Sequence, residues 1–450
     1  MTSLQEVLAG GIYQAYSYSY PHKTAYRHFS DPLPLQDVWQ TEDLNSLFLY
    51  LHIPFCEMRC GFCNLFTLVR PESEFTELYL SALEKQMAAV SELLPDAQFA
   101  RLALGGGTPT YLSAEQMDKL FGHLQKYLHV DFNKTPFGIE SSPDTINADK
   151  VQLLDQIGAR RISIGVQSFV ESETRQLVRR QNNEKVHHAL TCIKENFRET
   201  LNIDLIYGMV GQTIESWLHS LKTALTYKPE ELYLYPLYVR EKTGLGEVKK
   251  KQLIATSQQQ VDMLTLYRTG RDYLLDQGYE QVSMRMFRLP KANDKNEPVY
   301  SCQDDGMLGL GAGARSYTRN LHYSNEYAVG RQGIKEIIEN YLGQSLDTSA
   351  EPFKYAHYGV RLSENEQKRR FVIQSLLLVE GLSLQNYFTR FNTDCFDDFP
   401  ELNQLLELEL AAVDSNYLRL TASGLERADS LGPWLASVDI QMKMKKFALR

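Results

Sequence analysis

Three cysteines fall within eight residues in Tyr50-Leu-His-Ile-Pro-Phe-Cys56-Glu-Met-Arg-Cys60-Gly-Phe-Cys63-Asn-Leu-Phe66, half of the six in the chain. Thiolates are soft ligands that suit zinc and iron–sulfur clusters. A structural zinc site takes four ligands, commonly as two pairs, and only His52 lies near enough in sequence to complete that set. Iron–sulfur clusters are held by thiolates from tight loops. Three thiolates on a four-iron cluster leave one iron open to a further ligand, which makes the centre reactive. The Cys-x3-Cys-x2-Cys spacing therefore favours a [4Fe-4S] cluster on Cys56, Cys60 and Cys63. Zinc and a redox disulfide are the alternatives.

The elements that must position these cysteines alternate between strand and helix patterns, which implies parallel βα units. Strand patterns cover 47–53, 100–104, 137–140, 161–166, 202–207 and 231–238. Helical periodicity covers 75–94, 114–128, 148–158, 184–196 and 214–227. Ser113 and Gln116 read as a capping box. In α/β barrels the chemistry gathers at the C-terminal ends of the strands. Cys56 follows the first strand, Gly105-Gly106-Gly107-Thr108-Pro109 the second, and Gln167 the fourth; Glu140 ends the third and Asp204 lies in the fifth. Glycines without Cβ allow close approach of backbone to a ligand. No Gly-Lys-Ser/Thr follows them, so this is not a phosphate loop.

Tyr-x-His-Ile-Pro-Phe-Cys, Gly-Gly-Gly-Thr-Pro-Thr and Gly-Val-Gln-Ser-Phe occur in that order. This resembles the radical S-adenosylmethionine (SAM) superfamily, and within it the oxygen-independent coproporphyrinogen III oxidase family with its radical SAM haem-chaperone relatives. The resemblance runs from about Phe48 to Tyr238 and more weakly through a C-terminal module. It implies an α/β fold, a partial (β/α)6 TIM-like barrel with a C-terminal winged-helix-like α+β module. The implied divisions are a Tyr-rich strap at 1–45, the barrel at 46–245, an extension with a Gly-rich return segment at 246–362, and the C-terminal module at 363–450, a separable cover.

The resemblance also implies the cofactors, a [4Fe-4S] cluster and S-adenosyl-L-methionine, reductively cleaved to a 5′-deoxyadenosyl radical for hydrogen abstraction. It places Phe62 beside the adenine, and Gly105, Gly106, Gly107 and Thr108 at the methionine ammonium. Glu140 adds a carboxylate for that cation. Gln167 and Asp204 fall at the ribose; Asp204 also reads as a buried barrel residue. Tyr50 falls near the cluster, and Arg179 near the active centre, although an exposed helix-end charge explains Arg179 equally well. The implied substrate is porphyrinogen-like, with oxidative decarboxylation, and the implied reducing partner is a protein such as flavodoxin or ferredoxin. A haem chaperone and a radical SAM methyltransferase are the alternatives. Two departures mark a divergent branch: Leu65 stands where the decarboxylating oxidases carry another cysteine, and Tyr-Ser-Cys302-Gln-Asp-Asp where the chaperones carry His-Asn-x2-Tyr-Trp.

The 450 residues suffice for one large domain and a smaller one. A net charge of -9 argues against a nucleic-acid binder. No apolar stretch approaches a membrane span, the N-terminus does not read as a secretory signal, and reduced cysteines suit a cytoplasmic protein. Within the strap, residues 12–29 are dense in tyrosine and read as packing over the barrel end or as a lid over a flat or anionic substrate. Pro21, Pro32 and Pro34 are expected to break regular structure there. Further on, 260–277 and 364–380 read as helices, 280–287 as a strand, 294–305 as a loop, and 402–410 as a helix. Arg285 and Arg288 are candidates for substrate carboxylates. Cys192 reads as a buried helix residue.

Overall fold

Segments apolar at nearly every position, such as Leu47-Phe-Leu-Tyr-Leu-His-Ile, suit parallel strands covered on both faces. The computed structural model describes residues 3–240, 242–250, 259–290, 302–303, 306–346 and 351–448. One sheet of 13 strands runs through it. In chain order the strands are β1 (Arg27–Pro34), β2 (Leu47–Ile53), β3 (Phe99–Gly106), β4 (Phe137–Ser141), β5 (Ala159–Gln167), β6 (Thr200–Tyr207) and β7 (Glu231–Pro236). There follow β8 (Glu280–Gln281), β9 (Met286–Arg288), β10 (Met307–Leu310), β11 (Arg315–Tyr317), β12 (Leu321–Ser324) and β13 (Tyr355–Arg361).

Strands β2 to β7 lie side by side and parallel in sequence order. Their crossovers carry α1 (Ser73–Leu93), α2 (Ala114–Leu128), α3 (Ala148–Ile157), α4 (Asn183–Asn196) and α5 (Ile214–Leu225). This is the six-unit partial barrel. Beyond β7 the sheet continues antiparallel into β9 and β8. Beyond β2 it continues through β10, β11, β12 and β13 to β1. Among the described residues no pairing joins β1 to β8, so the sheet stays open. Side chains at the helix starts fix the entry of four of the five crossovers: Ser113 with Gln116 in a capping box, Asn147, Asn182 and Thr213.

The glycine-rich return segment packs backbone on backbone. β10 lies parallel to β2, and a Cβ on Gly309 would collide with the Arg315 carbonyl. Gly311, at φ 95°, sits against the His52 carbonyl.

Four local expectations change. Residues 27–34 form an edge strand despite two prolines, because the missing N–H groups occur beside a register irregularity on an edge. Residues 280–287 are two strands: the Ser283 hydroxyl accepts from the Arg285 and Met286 amides and turns the chain. The helix at 364–380 stops at Leu376, before Gly381 at φ 78°. The stretch 402–410 is one 3-10 turn ending at Leu402, then a short helix, Asn403–Glu407. The expected loop at 294–305 lies outside the described residues, save Cys302 and Gln303.

The largest core lies within and around the barrel. A second core joins the two ends of the chain: Leu4, Tyr20 and Tyr26 pack with Leu376, Leu405, Leu418, Trp434 and Ile440. The expected separable C-terminal cover is thus tied to the strap by shared apolar burial. Among the described residues, no helix is long and apolar enough to cross a membrane.

Candidate active site

A cavity of about 1730 Å3 opens at the C-terminal ends of the barrel strands. Every residue expected at the cluster, the SAM site and the active centre lies on its wall except Gly105. Gly105 stands just behind, where a Cβ would meet the Glu140 Oε2 and the Tyr50 Oη, each at 3.1 Å.

The cysteine loop starts in a two-residue strand pair, Phe55–Cys56 beside Leu68–Val69. Gly61 N–H donates to the Leu177 carbonyl at 2.8 Å and Cys63 N–H to the Cys60 carbonyl at 3.1 Å, which fixes the loop. All three thiols are free. Thr108 Oγ1 donates to Cys56 Sγ at 3.5 Å, and Arg179 Nη1 to Cys60 Sγ at 3.1 Å. Burial pushes the Cys56 thiol up to about 12 and the Cys63 thiol up as well. Among the described residues no group of three metal-ligating side chains is gathered around a single ion position. A Cβ on Gly107 would come within 3.0 Å of Cys56 Sγ. The glycine thus keeps the space beside the thiols open, and the residues fit a cluster.

Behind the loop, Tyr50 Oη lies 3.2 Å from His52 Nδ1, and His52 Nε2 lies 3.1 Å from the Phe66 carbonyl. A carbonyl only accepts, so Nε2 carries the proton and Nδ1 accepts from Tyr50. Burial lowers the His52 ring to about 4 and keeps it neutral. Gly106, at φ 113°, packs directly on that ring, 2.7 Å from where its Cβ would be.

Two carboxyls face the cavity from β4 and β6, on either side of β5. Burial, with the nearby Asp204, pushes Glu140 up to about 7, although the Gly106 amide donates to it at 3.2 Å. Burial likewise pushes Asp204 up to about 6, against the hydrogen bond from Asn202 at 2.8 Å. Burial that disfavours two carboxylates makes a pocket that a cationic ligand would stabilise. Gln167 joins them from a register irregularity in β5, with φ at 70°. A side chain held in that region costs energy and tends to mark a functional site.

Arg179 is not an exposed charge. It is buried, and it also donates to the Gly165 carbonyl at 2.6 Å and to Gln181 at 2.8 Å. Phe62 packs with Leu177, Ile206 and Leu245 at one end of the cavity. Tyr235, Tyr238 and Arg240 reach the wall, whereas Tyr233 does not. Arg285 is not available to a substrate: it is buried in an ion pair with Asp429 at 2.6 Å and bonded to Tyr238 Oη at 3.1 Å. Arg288 lies off the cavity wall. Cys192 is buried in α4.

The strap divides its aromatics between two tasks. Tyr20 and Tyr26 enter the second core, while Tyr16, Tyr18, His22 and Lys23 are placed on the cavity wall. Sequence reasoning did not single out Lys23, Arg315, Trp434 or Gln441, which also line it. They belong to no local motif, and only the return of distant segments to one mouth gathers them.

Residues 50–224 match the radical SAM superfamily, and residues 362–426 match the HemN C-terminal domain. The chain is 28% identical over 437 residues to the oxygen-independent coproporphyrinogen III oxidase of Escherichia coli (strain K12), covering 92% of each chain. It is 27% identical over 376 residues to the heme chaperone HemW of Bacillus subtilis (strain 168), covering 83% of this chain and 95% of that one. The solved structure of coproporphyrinogen III oxidase (HemN) from Escherichia coli superposes with a TM-score of 0.77 at 26% identity, over 96% of this chain and 98% of that one.

Proposed function

We propose, for a chain that is a radical SAM protein of the coproporphyrinogen oxidase and haem-chaperone type, with a [4Fe-4S] cluster and S-adenosyl-L-methionine as its cofactors, that it acts as an oxidoreductase on a tetrapyrrole-sized substrate. One observation carries the reading: three free thiols and two carboxyls of raised pKa meet at the strand ends in one cavity. When bound, the cluster and SAM supply a 5′-deoxyadenosyl radical for hydrogen abstraction, at the cost of one electron from a reducing partner of the flavodoxin or ferredoxin kind.

The protein's part is to bind, orient and enclose. Cys56, Cys60 and Cys63 hold the cluster, and Arg179 donates to the Cys60 sulfur. Gly105 to Gly107 and Thr108 admit the methionine end, with Glu140 as counter-charge to its ammonium. Gln167 and Asp204 accept the ribose hydroxyls, and Phe62 lies against the adenine. Tyr50, its hydroxyl proton turned to His52, packs beside Gly105 at the cavity wall. The strap and the C-terminal helices roof the cavity against water. Anaerobic reconstitution tests this: iron and sulfide should be retained, and reduction with SAM should yield 5′-deoxyadenosine. One zinc per chain without iron or sulfide sinks it.

A second reading, a haem chaperone that keeps the cluster, draws support from Leu65. This side chain is 47% exposed and lies on the cavity wall, where the decarboxylating oxidases carry a cysteine. Stoichiometric haem retention without substrate-dependent 5′-deoxyadenosine favours the chaperone; the reverse favours the enzyme.

A further inference from the structure

The cavity is electrically polarised. Glu140 and Asp204 stand at the barrel strand ends, whereas Lys23 comes from the strap and Arg315 from the start of β11. Elsewhere buried Arg285 and Arg369 and half-buried Arg161 are matched with acids, Asp429, Glu401 and Glu231, whereas buried Arg179 and Arg370 donate to neutral groups. Neither Lys23 nor Arg315 has a carboxylate partner among the described residues.

What they share is one neutral phenol. Arg315 Nη1 donates to Tyr18 Oη at 3.0 Å, and its guanidinium lies 5.0 Å from the Tyr18 ring centre. Lys23 rests its ammonium 3.7 Å from the Tyr327 ring centre. Ring faces compensate a cation only in part. The phenol registers the excess: burial raises it, but Arg315 and Lys23 together outweigh burial and bring Tyr18 down to about 8. Lys23 falls to about 8 through burial and the neighbouring Arg315, despite the opposing pull of Tyr18. Two half-buried cations without an anion among the described residues are unfavourable, and the cavity in front of them has room for one. The backbone beneath is fixed, because the Arg315 carbonyl packs against Gly309 where any Cβ would collide.

We propose that Lys23, Tyr18 and Arg315 form a subsite for a carboxylate of the substrate, opposite the acidic wall that receives the cationic cofactor. The assignment rests on the function proposed above and names its substrate class, a flat ligand that carries anionic side chains. A guanidinium, an ammonium and a phenol hydroxyl on one cavity wall offer several charge-assisted donors to one carboxylate. The strap then recognises the ligand as well as covering it.

The test titrates anaerobically reconstituted full-length protein with coproporphyrin III, a redox-stable tetracarboxylate, and with its tetramethyl ester in the same dilute-detergent buffer, followed by porphyrin fluorescence. The acid should bind more tightly than the ester. Lys23→Gln and Arg315→Gln should each weaken the acid by about tenfold, as expected for a lost charge-assisted hydrogen bond, and leave the ester unchanged. If Arg315→Gln does not fold, Lys23→Gln, in a short helical turn, decides. Equal loss for acid and ester, no loss, or no binding of the acid overturns the subsite. An equal loss of SAM affinity in the variants also overturns it, by handing the cations to the cofactor's own carboxylate. Failure of the underlying reading is seen separately, as wild-type protein without a cluster or without 5′-deoxyadenosine.

Discussion

Replacing Asp429 by Ala should be among the most damaging single changes outside the cysteine loop. Asp429 is 1% exposed and Arg285 3%, so the pair is desolvated. Both carboxylate oxygens accept from the same guanidinium nitrogen, at 2.7 and 2.6 Å, and one also accepts from Tyr238 Oη. Arg285 Nε has no hydrogen-bond partner among the described residues, so the guanidinium depends on this carboxylate. Removing one member of a buried pair leaves an uncompensated charge and costs about 3–5 kcal/mol. The loss should fall on the contact between module and barrel, because Arg285 precedes β9 and Asp429 lies 144 residues further on. Denaturant melts with a second probe, limited proteolysis of the C-terminal module, would register it. Asp429→Leu with Arg285→Met replaces both charges by apolar groups and should recover much of the loss. Asp429→Ala costing under about 1 kcal/mol, or a double variant no better than the single, would refute the reasoning, since a water-accessible pair behaves that way.

Cys56→Ala, Cys60→Ala and Cys63→Ala should each abolish the cluster's charge-transfer absorption together with 5′-deoxyadenosine, while Cys192→Ala leaves both; retention in any of the first three would remove that cysteine from the ligand set. Affinity for SAM should fall as pH drops through about 7 to 6, where Glu140 and then Asp204 take up protons. The apo-protein should behave oppositely: carboxyls with raised folded pKa values stabilise it as pH falls toward their unfolded range. Calorimetric titration and melts across pH 5.5–8 check both signs, and Glu140→Gln should flatten the upper limb. Asp204→Ala should keep the cluster and weaken SAM by roughly 1–3 kcal/mol; unchanged affinity would return Asp204 to a structural role. Coproporphyrinogen III decarboxylation should be weak or absent because Leu65 carries no thiol, and a rate matching a family oxidase would show that position to be uninformative.

The barrel was readable because its signals are local. The six strands and the crossover helices follow from apolar runs and caps such as Ser113, and the glycines at 105–107 announce a close backbone approach, although Gly105 and Gly106 belong to the end of β3 itself. Arg179 could not be placed from sequence, since its burial depends on Cys60, 119 residues away. Arg285 looked like a free cation because nothing nearby in sequence announces Asp429. The prolines at 32 and 34 misled for a different reason: they forbid a central strand but not an edge, and edge position is a property of the whole sheet. Lys23 and Arg315 carry no motif at all, and their meaning lies in the acid that neither has among the described residues.

The joining of the chain's two ends in one core sets an order on biosynthesis. Leu4 N–H donates to Gln404, and Tyr20 bonds Glu366 while accepting from the Ser437 amide. At translation speeds of about 5–20 residues per second, the strap waits roughly 20–80 s for its last partners to leave the ribosome. Through that interval the barrel strands and the cysteine loop already exist as sequence while the roof does not. A nascent chain therefore presents its thiols before the strap and the segment around Trp434 stand over them.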